Sequence, residues 1–371
     1  MRKTSLDNRP SGTGGADSNS AYPCGVSVII CCHNSASRLG PTLDHLAKQR
    51  CTPELPWEIV VVDNACTDQT ADVAAHLWPR NHPQPLRIVR EDKVGLSNAR
   101  ATGLAGAAYE YVTFADDDNW LCPEWVQTVA DTFREHPDVG MLTGRGDAVF
   151  EAAPPSWFDN NKRSYAIGAA SGTAGHVPAE RICGAGMCLR HSAWDALKSV
   201  GFSSILPDRQ GLALTAGGDT ELVVGLSFLG WKAWFEPRLS YKHWISADRL
   251  TMQHLRRLHR DYGTSSMVLH MYIMAKSQSS LASSWRIRHT WLWHVTSNVR
   301  SLCRALVNYG IRLRRGDTLQ ALLSIEGCLG TIRALVATGP GRYRVRRQSI
   351  ARLYRACQLL ATEYETSGRA A

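Results

Sequence analysis

From residue 26 onward, apolar and polar positions exchange in blocks. Val26–Cys32 is an unbroken apolar run rich in β-branched residues, which predicts a strand buried on both faces. Residues 35–48 follow with Leu39, Leu43 and Leu46 at helical spacing. The exchange then repeats. Strands are predicted at Glu58–Val62, Leu86–Val89, Tyr111–Ala115 and Val139–Leu142, and helices at Thr67–Leu77, Gly95–Ala108 and Pro123–Glu135. Pro123 opens its helix, where a missing N–H costs least. Regular strand–helix alternation predicts an α/β fold: a Rossmann-like, mostly parallel sheet with helices on both faces.

The second half is less regular. Residues 151–181 carry Pro154, Pro155 and several glycines and read as a long loop or lid. Cys183–Leu189 reads as a short strand or turn, followed by a helix from Ser192. Gly217–Glu221 opens a helix that runs to Leu229, and Trp231–Phe235 reads as a strand. Beyond about residue 250 the pattern is helical. The organisation expected is a disordered tail over 1–25, a catalytic domain over 26–249 and a basic helical region over 250–371. The catalytic domain divides into a nucleotide-binding half (26–145) and an acceptor half (146–249).

Composition adds less than the pattern. Hydrophobic residues make up 44% of the 371 and charged residues 20%, which excludes wholesale disorder. The first 25 residues are rich in Ser, Gly and Asn and are not read as a signal peptide. No window holds about 18 uninterrupted apolar residues, so no membrane-spanning helix is expected. Eleven cysteines, scattered and without paired metal spacing, suggest reduced thiols of a cytoplasmic protein.

Charge does change the picture. Residues 241–371 hold 21 Lys+Arg against 6 Asp+Glu, whereas residues 1–240 hold 21 against 27. The net charge of +9 therefore belongs to the C-terminal third. Such a segment suits an anionic membrane surface, a phosphorylated acceptor or nucleic acid, with solvated helix faces as the plain alternative. Trp285, Trp291 and Trp293 are interleaved there, a pattern that suits a membrane interface.

Ligands of parallel α/β sheets bind beyond the carboxyl ends of the strands. Asp63 follows the second predicted strand, and Asp116, Asp117 and Asp118 follow the fourth. Three adjacent carboxylates repel one another unless a cation neutralises them. Oxygen ligands of this kind suit Mg²⁺ or Mn²⁺; turn and helix-capping chemistry is the alternative. Asp219 and Glu221 sit in the first turn of a predicted helix, where either caps the helix or Asp219 serves as a general base. His243 reads as a metal or diphosphate ligand, or as a packed residue. Arg100 reads as a partner for phosphate or for the Asp cluster, or as a solvated helix residue.

Taken together, these segments resemble glycosyltransferase family 2 with its A-type fold, from about Val26 to Arg249. The residues that carry the resemblance are Val26 through Ser35, Glu58 through Asp68, Gly95 through Arg100, Phe114 through Asp118, and Gly218-Asp219. Ala101 stands where the family has Asn, and Gly218 where it has Glu. The resemblance implies an inverting transfer of sugar from a nucleotide diphosphate, UDP or GDP, to an acceptor hydroxyl. It implies His33, Asn34, Asp63, Gly95, Arg100, Asp116 and Asp117 around the nucleotide-sugar. Asp116, Asp118 and His243 would hold Mg²⁺ or Mn²⁺, and Asp219 would be the base. Gly184, Gly186, Glu221 and Trp231 would meet the acceptor. The expected partners are a nucleotide-sugar donor, a saccharide or lipid-linked acceptor and an anionic membrane on its cytoplasmic face; nucleic acid is not expected. A nucleotidyltransferase on a related sheet and a non-catalytic scaffold are the competing functions.

Overall fold

The computed structural model describes residues 21–168, 172–206, 208, 216–277, 290–314, 316 and 318–366. Most of the expected N-terminal tail, and Trp285, lie outside them. The chain orders its elements as β1 (Val26–Cys32), α1 (Leu39–Ala47), β2 (Trp57–Asn64), α2 (Thr70–Leu77), β3 (Leu86–Glu91), α3 (Leu96–Gly106), β4 (Tyr111–Asp116), β5 (Asn119–Leu121), α4 (Trp125–Glu135) and β6 (Val139–Phe150). Then come β7 (Gly175–Val177), β8 (Cys188–Arg190), α5 (His191–Ser199), α6 (Gly218–Phe228), β9 (Lys232–Ile245), α7 (Met252–Ser277), α8 (Trp291–Leu313) and α9 (Leu319–Thr366). Short 3₁₀ turns occupy Asp159–Tyr165, Ala179–Arg181 and Ala247–Leu250.

All strands join one nine-stranded sheet in the order β3-β2-β1-β4-β8-β6-β9-β5, with β7 paired to β9. The half from β3 to β4 is parallel throughout. Beyond it the sheet is mixed: β8 runs antiparallel to β4 and β6, β6 is parallel to β9, and β5 and β7 run antiparallel to β9. Along β1 and β2, successive side chains serve opposite faces. Ile29, Val60 and Val62 enter one core, whereas Val28, Ile30, Ile59 and Val61 enter the other. Both faces are covered, which is why these strands read as continuous apolar runs rather than alternating ones. Each large side chain so buried contributes roughly 1.5–3 kcal/mol.

The first of these cores crosses the boundary expected at residue 250. It takes in Met267, Met271 and Tyr272 of α7 and Leu335, Tyr343 and Ile350 of α9. α7 and α9 approach closely: a Cβ on Gly263 would lie 2.0 Å from the Gly327 carbonyl oxygen, and one on Gly330 would lie 1.9 Å from that of Arg260. Glu326 on α9 is buried and pairs with Arg256 at 2.7 Å and Arg260 at 2.5 Å. α9 is broken at Gly339, with φ 67° and ψ 165°, immediately before Pro340.

Among the described residues one helix, Leu319–Glu363, is long and apolar enough to cross a membrane by length and composition, with mean hydropathy 1.4 and 44% of that apolar stretch buried. That departs from the expectation of no such helix. The average stays high although Gln320, Ser324, Glu326, Gly327 and Arg333 interrupt the apolar run. All eleven cysteines are unbridged.

Candidate functional site

Two adjoining cavities open beyond the carboxyl ends of β1, β2 and β4. The first, of about 640 Å³, is lined by His33, Arg38, Asn64 and the Asp116–Asp118 triplet, and also by His254 and Arg257 of α7. The second, of about 490 Å³, is lined by Arg100, Gly184, Asp208, Asp219 and His243, with Tyr262 and Ser266 of α7. Leu96, Asp116 and Arg249 belong to both.

Asn64 organises the floor of the first cavity. Its carbonyl oxygen accepts from His33 Nδ1 at 2.7 Å, and its Oδ1 accepts from the Gly95 N–H at 2.9 Å. Gly95 has φ 138°, a conformation that suits glycine. Asp63, one residue earlier, is turned to Arg90 at 2.6 Å and accepts the Cys66 N–H at 3.1 Å. Burial pushes its carboxyl up, but the bonds from Cys66 and Arg90 win and hold it below the usual carboxylate range. Asn34 is exposed, and its Oδ1 accepts from the Thr67 N–H at 2.8 Å. Asp63 and Asn34 therefore brace the loops beside this cavity rather than line it.

The three aspartates go separate ways. Asp117 is buried, accepts from Ser35 Oγ and pairs with Arg38 at 2.7 Å. Burial and the neighbouring Asp118 push its carboxyl up. Asp116 accepts from Asn119 Nδ2 at 3.3 Å. Asp118 faces His243 and Arg249: Oδ1 lies 3.5 Å from His243 Nε2, and Oδ2 lies 3.1 Å from Arg249 Nη1. The pairing of Asn119 with His243 across β5 and β9 brings that histidine to the triplet.

His243 Nδ1 lies 2.9 Å from the Tyr165 carbonyl oxygen. A carbonyl only accepts, so Nδ1 carries a proton, and in the neutral ring the lone pair is then on Nε2. A carboxylate oxygen and an imidazole lone pair converging in this way fit a divalent cation. No group of three His, Cys, Asp or Glu side chains converges as a metal site among the described residues. Of the expected Asp116, Asp118 and His243, the structure brings Asp118 and His243 together. Asp116, the last residue of β4, accepts from Asn119 and lines both cavities.

In the second cavity, Asp219 lies in the first turn of α6, after Gly217 at φ 110°. Its Oδ2 accepts the Gly184 N–H at 2.5 Å and its Oδ1 the Thr220 N–H at 2.7 Å. Gly184 has to be glycine here, since a Cβ would lie 2.4 Å from Arg100 Nη2 and 3.0 Å from Asp219 Oδ2. Arg100 is buried and pairs with Asp208 at 2.6 Å. Burial opposes its charge, but Asp208 and Asp219 outweigh that and hold it firmly protonated. Arg100 thus lies on the Asp219 side of the site, not among the residues lining the first cavity.

Three of the residues expected at the acceptor line neither cavity. Glu221 is fully buried and lines neither cavity. It accepts from the Ile205 N–H at 2.9 Å, the Leu206 N–H at 3.0 Å, Ser204 Oγ at 2.7 Å and Tyr272 at 2.8 Å. Its work is to fasten the 204–206 loop and α7 to α6. Trp231 packs over Gly140 at the foot of β9 and near the Arg190 guanidinium. Gly186, at φ 66°, forms a turn against Trp125 and Tyr241.

Sequence reasoning missed Arg38, Asp208, Arg249, His254 and Arg257. The only local signal was the i, i+3 spacing of His254 and Arg257, which puts both on one helical face.

Comparison with known proteins bears on this site. Residues 27–185 match the family described as Glycosyl transferase family 2. The chain is 31% identical over 104 residues to glycosyltransferase GlyA of Streptococcus pneumoniae serotype 4, which covers 28% of this chain and 14% of that protein. It is 30% identical over 150 residues to the poly(ribitol-phosphate) beta-N-acetylglucosaminyltransferase TarS of Staphylococcus aureus, covering 38% and 26%. A poly-beta-1,6-N-acetyl-D-glucosamine synthase of Staphylococcus epidermidis is 27% identical over 120 residues, covering 32% and 28%. The chain thus spans less than a third of the length of each of these relatives. A crystal structure of S. aureus TarS 1–349 in complex with UDP-GlcNAc superposes with TM-score 0.48 at 17% identity, over 81% of this chain and 90% of that one. Over residues 27–185, then, this chain is similar to glycosyl transferase family 2.

Proposed function

We propose that the protein is an inverting glycosyltransferase that moves a sugar from a UDP- or GDP-sugar to an acceptor hydroxyl, in the synthesis of a surface polysaccharide, glycolipid or related glycoconjugate. The observation that carries the reading is the meeting of two cavities at Asp116 and Arg249, one flanked by the aspartate triplet and the other holding Asp219. The first takes the donor. His33 and Asn64 face its nucleoside, and Arg38, Arg257 and His254 face its diphosphate. The second takes the acceptor and delivers its hydroxyl to Asp219.

In the reaction, Asp219 takes the hydroxyl proton as the acceptor oxygen bonds to the anomeric carbon, and the bond from that carbon to the diphosphate breaks. The two N–H donors from Gly184 and Thr220 fix the carboxylate's orientation and leave each oxygen a further lone pair. Asp118 and His243 are the residues that would hold Mg²⁺ or Mn²⁺, which supplies positive charge to the departing diphosphate. Arg100, held by Asp208, keeps positive charge beside Asp219.

The donor assignment is tested by thermal melts with a panel of UDP- and GDP-sugars in Mn²⁺, beginning with UDP-N-acetylglucosamine because the TarS relative is named for that transfer. A true donor at a hundredfold over its Kd stabilises the fold by about 2.7 kcal/mol. If no sugar nucleotide raises the melting temperature, the reading is wrong.

The exposed end of α8 extends the proposal to a membrane partner. Leu306, Val307 and Leu313 are 51%, 63% and 63% exposed, and Arg300, Arg304, Arg312 and Arg314 lie among them. Apolar residues interleaved with arginine suit the cytoplasmic face of an anionic bilayer, where a lipid-linked acceptor would be presented.

A further inference from the structure

Arg249 stands where a cation is wanted. Its Nη1 lies 3.1 Å from Asp118 Oδ2 and 3.4 Å from His243 Nε2, and those two partners lie 3.5 Å apart through Oδ1. One guanidinium therefore engages both donors that a divalent ion would need. We propose that Arg249 is an internal counter-ion, holding the Asp118–His243 pair until a divalent cation displaces it. The inference rests on the reading of that pair as the metal site.

The exchange is physically balanced. Asp118 is buried, and a buried carboxylate with no positive partner is costly. The guanidinium supplies that charge in the resting protein. An entering cation uses the same carboxylate and the same imidazole lone pair, so the two occupants exclude each other. His243 cannot offer its other nitrogen, because Nδ1 is committed to Tyr165.

The side chain also has somewhere to go. Arg249 lines both cavities, and its side chain is 15% exposed. Its backbone is fixed, since its carbonyl oxygen accepts from Tyr165 Oη at 3.0 Å, so the displacement is a rotamer change at the tip of a 3₁₀ turn. Turned into the first cavity, the guanidinium joins a wall that already holds Arg38, His254 and Arg257.

The sign of one measurement separates this arrangement from a merely structural ion pair. Mn²⁺ binding is measured by calorimetry or spin resonance on the full chain, without nucleotide, for wild type, Arg249→Met, Arg249→Gln and Arg249→Lys. Removing a competitor tightens metal binding, so Met and Gln should each bind Mn²⁺ at least tenfold more tightly than wild type. Lys keeps the competing charge and should stay within a fewfold of wild type. A structural ion pair predicts the opposite, since its loss loosens the site and weakens Mn²⁺ binding. Equal or weaker binding by both neutral variants overturns the inference. It leaves the metal reading intact provided wild type still binds UDP more tightly with Mn²⁺ than in EDTA. If that dependence is also absent, both fall.

Discussion

Asp219 and Glu221 show how two carboxylates of one helical turn take different work. Two positions on a helix differ by about 200°, so when Asp219 faces the acceptor cavity, Glu221 faces the core. We expect Asp219→Asn to keep donor binding, because Asp219 does not line the first cavity, at a cost of roughly 1–3 kcal/mol in stability, since the new amide NH2 must face the Gly184 or the Thr220 N–H. Transfer should fall by about 10²–10⁴ for want of a base, measured as sugar transfer at saturating donor. Glu221→Gln should keep transfer. Its new amide would point N–H groups at the donors on Ile205 and Leu206, costing roughly 1–3 kcal/mol in a urea melt. A dead Glu221→Gln with wild-type stability, beside an active Asp219→Asn, would exchange the two roles. Asp118→Asn should weaken metal-dependent UDP binding, which calorimetry with and without EDTA reads directly. The sequence revealed the aspartates at strand ends because such positions follow from the fold. It could not reveal Asp208 or Arg249, whose partners Arg100 and Asp118 lie far away along the chain and share no local pattern with them.

At the scale of elements, the parallel strands were legible because burial on both faces leaves unbroken apolar runs at β1 and β2. The three-residue β5 and β7 were not, since so short a segment carries no period. β9 was read only to Phe235, whereas it runs to Ile245; its later half alternates buried and exposed residues around Lys242, which broke the apolar run. The packing of α7 on α9 was invisible for another reason: glycines at 263, 327 and 330 suggest flexibility in sequence but provide close approach in the structure. Glu326 locks this pair. Burial raises its carboxyl, yet the bonds from Arg260 and Arg256 win and hold it below the usual carboxylate range. A lowered folded-state value means that this stabilisation is present above the usual carboxylate range and is lost as pH falls through the folded value. Glu326→Gln should therefore destabilise the protein at pH 7, and the gap to wild type should shrink in melts taken progressively below about pH 4.5. A gap that is the same at low pH would place its origin outside the ion pairs.

For the molecule as a whole, the segment beyond residue 250 is part of the site, not an appendage. His254 and Arg257 lie outside the stretch that matches the family, yet they line the first cavity. Replacing both with Ala should weaken UDP binding about tenfold or more without lowering the melting temperature; unchanged affinity would remove α7 from donor recognition. Co-sedimentation with anionic vesicles at low and high salt checks the α8 surface. Charge attraction is screened within about 10 Å at 0.1 M salt, so binding should be strong at low salt and fall at high salt. Absence of binding at low salt would rule the surface out.

The seating of β8 between β4 and β6 bears on how the chain is made. Thr113 pairs with Cys188, and Leu142 pairs with that same residue from the other side. As the chain leaves the ribosome, β1 to β4 can assemble in order, but the outer rim of β4 has no neighbour until residues 188–190 emerge. β6 in turn waits for β9. A nascent chain of some 180 residues therefore presents an unpaired strand rim beside a half-covered apolar face, the combination most prone to joining another chain. Synthesis that stalls in this interval should yield aggregates rather than a working half-enzyme, and the last strand to arrive is the one that brings His243 to Asp118.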